Sequence, residues 1–276
     1  MRRLLAALAL AGLTACAAAT TNYTDPAGPR FAGGIATRVG PSRCLRVASL
    51  NIDMGLHLDS VIALFRLSPE LAPADVVLLQ EVDSMSVRAI ADSLHMAWVY
   101  YPATLHPKTG RDYGNAVLSR HPITDDQKIP LPYLARGRHT ARAAVAATLD
   151  VDGRPVRVYS LHLATVIGNT PRERHEQIQT ILADADLYPA VIIGGDFNDE
   201  AVPELGLPHG FSWPTRQLPA TNAFWTFDHI LIKGLPDFQT ASAGVVHDTR
   251  GASDHRPIWL ALTQAQPSAP PPAGTR

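Results

Sequence analysis

The segment Val191–Asn198, with the sequence Val-Ile-Ile-Gly-Gly-Asp-Phe-Asn, decides the fold of this chain. Its first four residues are an uncharged, mostly β-branched run, which predicts a strand buried on both faces. A helix over Pro171–Asp186 is predicted directly before it, because Thr170 can cap the helix, the proline suits the first helical position and Glu173 lies in the first turn. A helix that leads into a buried strand is typical of an α/β fold.

Further apolar runs predict the other strands, and helical spacing of apolar residues predicts two more helices. The strands are expected over residues 45–52, 75–82, 115–119, 141–149, 156–163, 229–232 and 258–262, and the helices over 58–67 and 87–96. Asp152-Gly153 between two of these strands is a favourable hairpin turn. This order of elements predicts a four-layer α/β sandwich in which helices flank two central mixed β-sheets.

Polar residues collect where the predicted strands end. Asn51 ends the first strand, Glu81 the second, His162 lies near the end of a later one, and Asp196 follows the strand described above. Singly, such a carboxylate is more often a turn residue or helix cap, and such a histidine is more often a core or surface residue. Strand ends are nevertheless where sites assemble in α/β folds, so the joint pattern indicates a functional site.

Several sequence blocks around these residues resemble the signature blocks of the endonuclease/exonuclease/phosphatase family. They occur in the family's order and span residues 45 to about 262. A single block such as Gly-Asp-Phe-Asn is moderately specific, whereas four in order are highly specific. The four blocks are Leu79–Val82, Gly114–Arg120, Gly195–Asn198 and Ser253–Pro257, supported by Asn51, Leu161–Leu163 and Asp228–Ile230.

The resemblance implies a hydrolase of phosphodiester or phosphomonoester bonds that uses Mg²⁺ or Mn²⁺. Such a reaction needs a cation at the non-bridging oxygens and an activated water in line with the leaving oxygen. Oxygen ligands suit Mg²⁺, which keeps several waters and takes few protein groups. Glu81 is the first candidate for a metal ligand, with Asn51 beside it, and Asp254 is a candidate for the same or a second metal.

The resemblance also suggests roles for the other polar residues of the blocks. Asp196 is expected to orient or deprotonate the attacking water, and Asn198 to contact the phosphate. His255 would donate to a phosphate oxygen or transfer a proton, and it needs a carboxylate to fix its tautomer, for which Asp228 is the candidate. His162 can donate to the phosphate or protonate the leaving group.

Two further residues are candidates for substrate contact, namely Arg142 and Asn115. Asn115 has the alternative role of holding its strand and loop together. Tyr113 lies close to Asn115 in the sequence, but it is interpreted as a packing aromatic, because no active-site tyrosine of the abasic-site endonuclease branch can be identified with it. This interpretation weakens assignment of the chain to that DNA-repair branch.

The N-terminus predicts export. Residues 1–15 contain a basic start and a short apolar run, as in a signal peptide, and Leu13-Thr14-Ala15-Cys16 resembles the lipobox of bacterial lipoproteins. Cys16 is therefore expected to carry a lipid that anchors an exported protein to the bacterial envelope, with a plainly secreted protein as the alternative. Residues 16–42 are expected to be a flexible tether, 43–263 the domain and 264–276 a disordered Pro-rich tail.

Charge does not identify a substrate. Without Arg2 and Arg3 of the predicted signal peptide, 22 basic residues face 25 acidic ones, so the chain has no overall basic character for polyanion binding. The candidate substrates are therefore nucleic acid, a phospholipid head group such as that of sphingomyelin, and a small phosphate ester. The chain is expected to be a monomer. A non-catalytic binding lipoprotein on the same scaffold is the alternative to an enzyme.

Overall fold

The computed structural model of the protein describes residues 20–38 and 43–264. Three α-helices lie in these residues: α1 (Leu58–Leu67), α2 (Ser84–Leu94) and α3 (Pro171–Ala185). Short 3-10 helices span Asp53–Gly55 and Val202–His209. The strands are β1 (Phe31–Gly33), β2 (Cys44–Asn51), β3 (Val76–Val82), β4 (Ala97–Leu105), β5 (Asp112–Ser119), β6 (Ile123–Pro130), β7 (Ala143–Val151), β8 (Arg154–His162), β9 (Val191–Asp196), β10 (Asp228–Lys233), β11 (Phe238–Val245) and β12 (Ile258–Gln264).

The strands form two sheets of mixed direction. The larger sheet has the order β1-β4-β5-β3-β2-β12-β11, and the smaller sheet has the order β10-β9-β8-β7-β6. Each sheet contains one parallel pair, β2 with β3 in the larger sheet and β8 with β9 in the smaller one. The carboxyl ends of both parallel pairs carry the polar residues singled out in the sequence, so the topology gathers the candidate site at one edge of the sandwich.

Three apolar cores hold four layers together. One core lies between the sheets, where Val47 and Leu78 of the larger sheet meet Val158 and Ile192 of the smaller. A second core packs α1 and α2 against the outer face of the larger sheet, and a third packs α3 against the outer face of the smaller sheet. The predicted four-layer α/β sandwich is therefore confirmed.

Local sequence signals also act as expected. Thr170 caps α3, its side chain accepting from the Glu173 N–H while the Glu173 carboxylate accepts from the Thr170 N–H, which is a capping box. Asp152 and Gly153 join β7 to β8 with φ of 56° and 82°, the left-handed backbone that a type I′ hairpin turn requires. These two elements fix the strands that carry His162 and Asp196.

Residues 20–38 differ from the expected flexible tether, because they are an arm packed on the domain. Strand β1 pairs with β4 at the edge of the larger sheet. The buried Lys128 ammonium, on the edge strand β6 of the smaller sheet, donates to the carbonyls of Tyr23 and Gly28. Arg30 makes a two-point contact with Asp126 on the same strand, at 2.6 Å for each bond. The tether prediction is wrong for these residues because specific side chains and strand pairing hold them.

Several predictions concern residues outside the described ranges. The signal peptide, Cys16 and the tail from 265 to 276 lie there, and Gln264, predicted to begin the tail, is the last residue of β12. Among the residues that the structure describes, no helix is long and apolar enough to cross a membrane.

Candidate active site

The site is assembled by strand pairing at one edge of both sheets. His162 at the end of β8 is the register partner of Asp196 at the end of β9, and Asp196 is also the partner of Asp228 at the start of β10. From the larger sheet, Asn51 ends β2 and its Nδ2 donates to Asp196 Oδ2 over 3.1 Å. The two sheets therefore bring residues that are 145 positions apart into hydrogen-bonding contact.

Glu81 owes its position to a bulge in β3. The pairing of β3 with β5 shifts register between Gln80 and Val82, and Glu81 has a φ of 55° in the left-handed region. A bulge re-aims one side chain out of the alternating pattern. Here it directs the Glu81 carboxylate towards Asn51, whose Nδ2 donates to Glu81 Oε1 over 3.1 Å. The carboxylate keeps a solvent-facing side, with 20% of the side chain exposed.

The donor chemistry of Glu81 and Asn51 fits a hard divalent cation. Both side chains offer oxygen atoms, and the exposed side of Glu81 leaves room for water ligands, which Mg²⁺ retains. Within residues 20–38 and 43–264, no cluster of three or more His, Cys, Asp or Glu side chains has the arrangement of a metal cage. The Nδ2 of Asn51 faces Glu81 Oε1, and its Oδ1 accepts from the Asp53 N–H. Glu81 is therefore the oxygen donor with a side open to an ion and its waters, and the assignment of Asn51 as a metal ligand stays a prediction.

The third candidate ligand, Asp254, stands at the exposed rim. Ser253, which precedes Asp254, donates from its hydroxyl to the Asn51 carbonyl over 2.6 Å, so Asp254 and Asp53 lie in joined segments. Burial raises the pKa of Asp53, and the charge of Asp254 raises it further. Asp53 follows Asn51 by two positions and its N–H donates to Asn51 Oδ1 over 3.1 Å. Asp53 was not singled out in the sequence, although it lies beside Asn51. The assignment of Asp254 as a metal ligand stays a prediction.

A buried chain of three groups forms the centre of the site. His255 Nδ1 lies 2.8 Å from Asp228 Oδ2, and His255 Nε2 lies 3.7 Å from Asp196 Oδ2. Asp228 is itself held by Thr221, whose hydroxyl accepts from the Asp228 N–H. Ser253 holds the other end, since its hydroxyl accepts from the His255 N–H and donates to the Asn51 carbonyl. The predicted pairing of Asp228 with His255 is present in the structure.

Burial and charge set the protonation of this chain. Burial raises the pKa of Asp196 to about 7, with the Asp228 charge adding to the rise and the His255 charge opposing it. Burial alone would lower the pKa of His255, but the charges of Asp228 and Asp196 outweigh it and raise that pKa to about 10. At neutral pH the ring is therefore a cation, and Asp196 has the proton affinity that suits a general base.

His162 is a neutral ring between two groups of partners. Burial, followed by the charges of Arg142 and His255, lowers its pKa well below the ordinary range. Its Nδ1 faces Tyr113 Oη and Arg142 Nη1, both at 3.4 Å, and its Nε2 lies 3.5 Å from Asp196 Oδ2. Because Arg142 can only donate, Nδ1 is an acceptor and Nε2 carries the proton. The ring can donate a hydrogen bond, but it holds no extra proton at neutral pH for a leaving group.

Tyr113 belongs to the site, and its interpretation as a packing aromatic is corrected. Its hydroxyl accepts from Arg142 Nη1 over 2.8 Å and faces His162. Burial raises the pKa of Tyr113 well above its ordinary value, so the phenol keeps its proton at neutral pH. The sequence contained one usable signal: Tyr113 lies two positions before Asn115, so both side chains leave β5 on the same face.

Arg142 is a buried cation without a carboxylate partner. Only 7% of the residue is exposed, its Nε has no hydrogen-bond partner, and no carboxylate of the described residues lies within 4 Å of it. Its guanidinium is held by Tyr113 Oη and packs over the Tyr113 ring at 5.3 Å. A buried charge is unfavourable unless an opposite charge compensates it. The charges of Glu81 and Asp196 act on the pKa of Arg142 against the effect of burial, so they compensate this cation without touching it.

The two asparagines predicted to contact substrate are buried and bonded to the backbone. Asn115 Nδ2 donates to the carbonyl of Ala143 over 2.7 Å, from the larger sheet to the smaller. Asn198 Nδ2 donates to the carbonyl of Leu163 over 3.1 Å, and its N–H donates to Asp196 Oδ1 over 2.8 Å. Asn115 thus links the two sheets, and its contact with substrate stays a prediction. Asn198 positions Asp196, and its contact with phosphate stays a prediction.

Comparison with known proteins identifies a family whose sequence model matches the chain. The sequence model of the Endonuclease/Exonuclease/phosphatase family matches residues 48–255, which is most of the chain. Comparison with curated proteins gives no match.

Solved structures with the same fold are distant in sequence. An endonuclease/exonuclease/phosphatase from Beutenbergia cavernae DSM 12333 has 21% identity and a TM-score of 0.66, covering 81% of this chain and 72% of that one. Humanized D. rerio TDP2 has 20% identity and a TM-score of 0.65, covering 81% and 100%. The human Nocturnin catalytic domain with bound sulfate has 18% identity and a TM-score of 0.65, covering 86% and 98%.

Proposed function

Because this chain belongs to the endonuclease/exonuclease/phosphatase family, we propose that it is a divalent-metal-dependent hydrolase that cleaves a phosphoester bond by in-line attack of an activated water. The observation that carries the proposal is the buried arrangement of a carboxyl base, a neutral histidine and two cations at one edge of the sheets. Asp196 faces the charged ring of His255 and the neutral ring of His162, while Arg142 lies unpaired behind them.

Substrate binding would give Arg142 an anion in direct contact. A phosphate group placed over Arg142 and the Tyr113 hydroxyl would receive donors from both, and His162 Nε2–H would supply a third. These donors are fixed before substrate binds, because each is buried and held by its neighbours. Preorganised donors of this kind stabilise charge that develops on the phosphoryl oxygens.

Water activation would fall to Asp196. A carboxylate with a pKa of about 7 accepts a proton from water more readily than an ordinary exposed aspartate does. Asn51 Nδ2 and the Asn198 N–H fix the two oxygens of Asp196, so its direction is set. His255, held as a cation by Asp228, would donate to a phosphate oxygen. Mg²⁺ or Mn²⁺ bound by Glu81 and Asn51 would supply positive charge to the non-bridging oxygens.

The alternative, a binding lipoprotein without catalysis, explains less of the site. Anion binding needs Arg142 and its donors, but it does not need a carboxyl group buried between two histidines. Such a carboxyl group lowers stability, and groups of this kind are concentrated at functional sites. We therefore prefer the enzyme. The lipid anchor at Cys16, export to the bacterial envelope and the monomeric state belong to the proposal as well, on the sequence pattern alone.

Chelation and metal replacement test the proposal. Hydrolysis of bis(p-nitrophenyl) phosphate, p-nitrophenyl phosphate, plasmid DNA and sphingomyelin would be measured after EDTA treatment and after addition of Mg²⁺ or Mn²⁺. We expect EDTA to abolish activity and either ion to restore it. Calorimetric titration with Mn²⁺ gives a readout separate from activity: Glu81→Gln should weaken binding, whereas the exposed control Glu204→Gln should not. Full activity after exhaustive chelation would refute the metal-dependent mechanism.

A further inference from the structure

Large apolar side chains are exposed around the mouth of the site. Twelve such side chains are exposed among the described residues. Tyr133 donates its hydroxyl to Glu176, and six of the others lie in loops next to site residues. Ile167 and Phe224 protrude most, at 94% and 89% exposure. We call these six the apolar rim: Leu56, Leu134, Val166, Ile167, Phe224 and Trp225. Exposed apolar groups that cluster at one place mark an interaction surface.

The loops of the apolar rim are anchored to the domain. The loop before Arg142 and the loop after His162 are joined by a bond from the Arg136 N–H to the Gly168 carbonyl, at 2.9 Å. On the other side, Asn222 forms a bridge with His255, and the Trp225 ring stacks on Phe227 with an interplanar angle of 3°. The rim side chains are thus presented on fixed supports beside the catalytic groups. A surface that docks needs such preorganisation.

Unpaired cations accompany the apolar rim. Arg138 and Lys108 are exposed, and neither has an ion pair within the part of the chain that the structure describes. Arg138 lines the same cleft as His106, and Lys108 follows His106 by two positions, so both cations lie on that side of the site. Arg138 and Ile167 line the same cleft, of about 320 Å³, that contains Arg142. Protruding apolar groups with adjacent cations match a surface that is apolar inside and anionic outside.

The start of the described chain lies on this face. Thr20 Oγ1 donates to the Arg138 carbonyl over 2.7 Å, and Asn22 Nδ2 donates to the His139 carbonyl over 2.7 Å. Cys16, the predicted lipidation site, precedes Thr20 by four positions. Four residues span at most about 14 Å of extended chain. A lipid on Cys16 would therefore bring a bilayer close to Arg138 and the rim, whatever path the intervening residues take.

We propose that the apolar rim and its cations dock on the surface of a lipid bilayer, so that the site acts on phosphoesters presented at that surface. The substrate class would then be phospholipid head groups. This inference rests on the proposed function for the reaction. The part of it that uses the position of Thr20 also rests on the predicted lipid on Cys16. Nucleic acid is the competing occupant, because exposed aromatic residues also stack on bases.

Vesicle sedimentation tests the docking surface separately from catalysis. The full chain carrying Cys16→Ser, which cannot be lipidated there, would be mixed with phosphatidylcholine vesicles with or without phosphatidylglycerol. We expect the double change Val166→Ser and Phe224→Ser to weaken partition on the order of 10²-fold, since each side chain loses its apolar burial. Leu187→Ser is the matched control: that residue is 76% exposed but follows α3 at the opposite end of the domain.

Two outcomes would overturn the inference. The first is equal vesicle partition of the rim variant and the Leu187→Ser control. The second is loss of single-stranded oligonucleotide binding in the rim variant with unchanged vesicle partition, which would assign the rim to nucleic acid.

Activity on bis(p-nitrophenyl) phosphate separates this inference from the proposed function. That ester is water-soluble, so the rim variant should hydrolyse it as fast as the parent. If the parent hydrolyses no ester at all, the proposed function fails, while the partition measurement still decides whether the rim binds a bilayer.

Discussion

Replacing Asp228 by asparagine is the sharpest test of the buried chain in the site. The change keeps the size of the side chain and removes its charge. Asp228 Oδ2 lies 2.8 Å from His255 Nδ1, and Asp228 is fully buried. Asp228 is a positioning residue here, because it acts on the phosphate through His255. Its loss should therefore reduce kcat through the charge and orientation of that ring.

The magnitude follows from the proton affinity of His255. Aspartate charges raise its pKa from 6.5 to about 10 against the effect of burial. At about 1.36 kcal/mol for each tenfold change in proton affinity, that difference is roughly 5 kcal/mol. Asp228 makes the largest contribution to this difference and Asp196 the next. If a part of this is realised in the transition state, kcat falls roughly 10- to 100-fold.

The assay is steady-state hydrolysis of bis(p-nitrophenyl) phosphate across a range of pH. His255→Ala should lower kcat on the order of 10² or more, and Asp228→Asn should lower it less. In Asp228→Asn, the His255 ring should lose its proton at a lower pH. The alkaline limb of the pH–rate profile should therefore move to lower pH. The matched control is Asp186→Asn, because Asp186 pairs with His209 at 2.6 Å on the surface, away from the site.

The double variant decides whether the two residues act as a pair. If Asp228 serves His255, the kcat of Asp228→Asn with His255→Ala should be close to that of His255→Ala alone. Losses that multiply would refute the assignment. Thermal denaturation of each variant checks that the fold is intact, and a shifted pH profile in the folded single variant distinguishes a positioning role from a merely structural one.

Three further predictions concern other parts of the chain. Asp196→Asn should lower kcat on the order of 10² or more, whereas Arg142→Ala should act chiefly on KM, and steady-state kinetics of the two variants checks this division. Cys16→Ser should move the exported protein from the membrane fraction to the soluble fraction or block its processing, as fractionation and mass spectrometry would show. Burial lowers the pKa of Lys128 from 10.5 to about 8. Between these two pH values the unfolded chain binds more protons than the folded protein, so stability should rise with pH in this range. Thermal denaturation of the parent and of Lys128→Met across this pH range checks the prediction.

Apolar pattern predicted most of the buried strands, and it missed the polar strands at the sheet edges. It also missed β4, an interior strand that is buried along almost its whole length and contains Pro102. β3 and β9 are buried along almost their whole length, so their residues form continuous apolar runs. β6 and β11 are edge strands with many exposed positions, and their sequences contain the polar residues that such edges tolerate. β1 has three residues and depends on its pairing with β4. Tertiary contact alone specifies it.

The arm shows why composition can mislead. An Ala-, Thr-, Gly- and Pro-rich segment has little apolar surface to bury, so the sequence predicts a tether. Its order comes from a few contacts with side chains far along the chain, such as Arg30 with Asp126 and Arg38 with Asp75. Asp75 and Asp126 gave no sign of these partners, because a single charged residue in a sequence does not identify the charge it will meet.

The site was predictable where it depends on strand ends and unpredictable where it depends on register. Asn51, His162 and Asp196 lie at carboxyl ends of strands, and any parallel pair brings such ends together. Tyr113 lies inside β5, next to the bulge that displaces Glu81, and its partner in the register is Thr104 of β4. The alternation of side chains along β5 puts Tyr113 on the same face of the strand as Asn115. Whether that face is open to the site depends on how far the smaller sheet extends over it. Asn115 is covered by the Ala143 carbonyl, whereas Tyr113, two residues nearer the edge, reaches Arg142. The phenol is therefore a site residue because the second sheet stops between these two positions, a fact of packing that the local sequence does not contain.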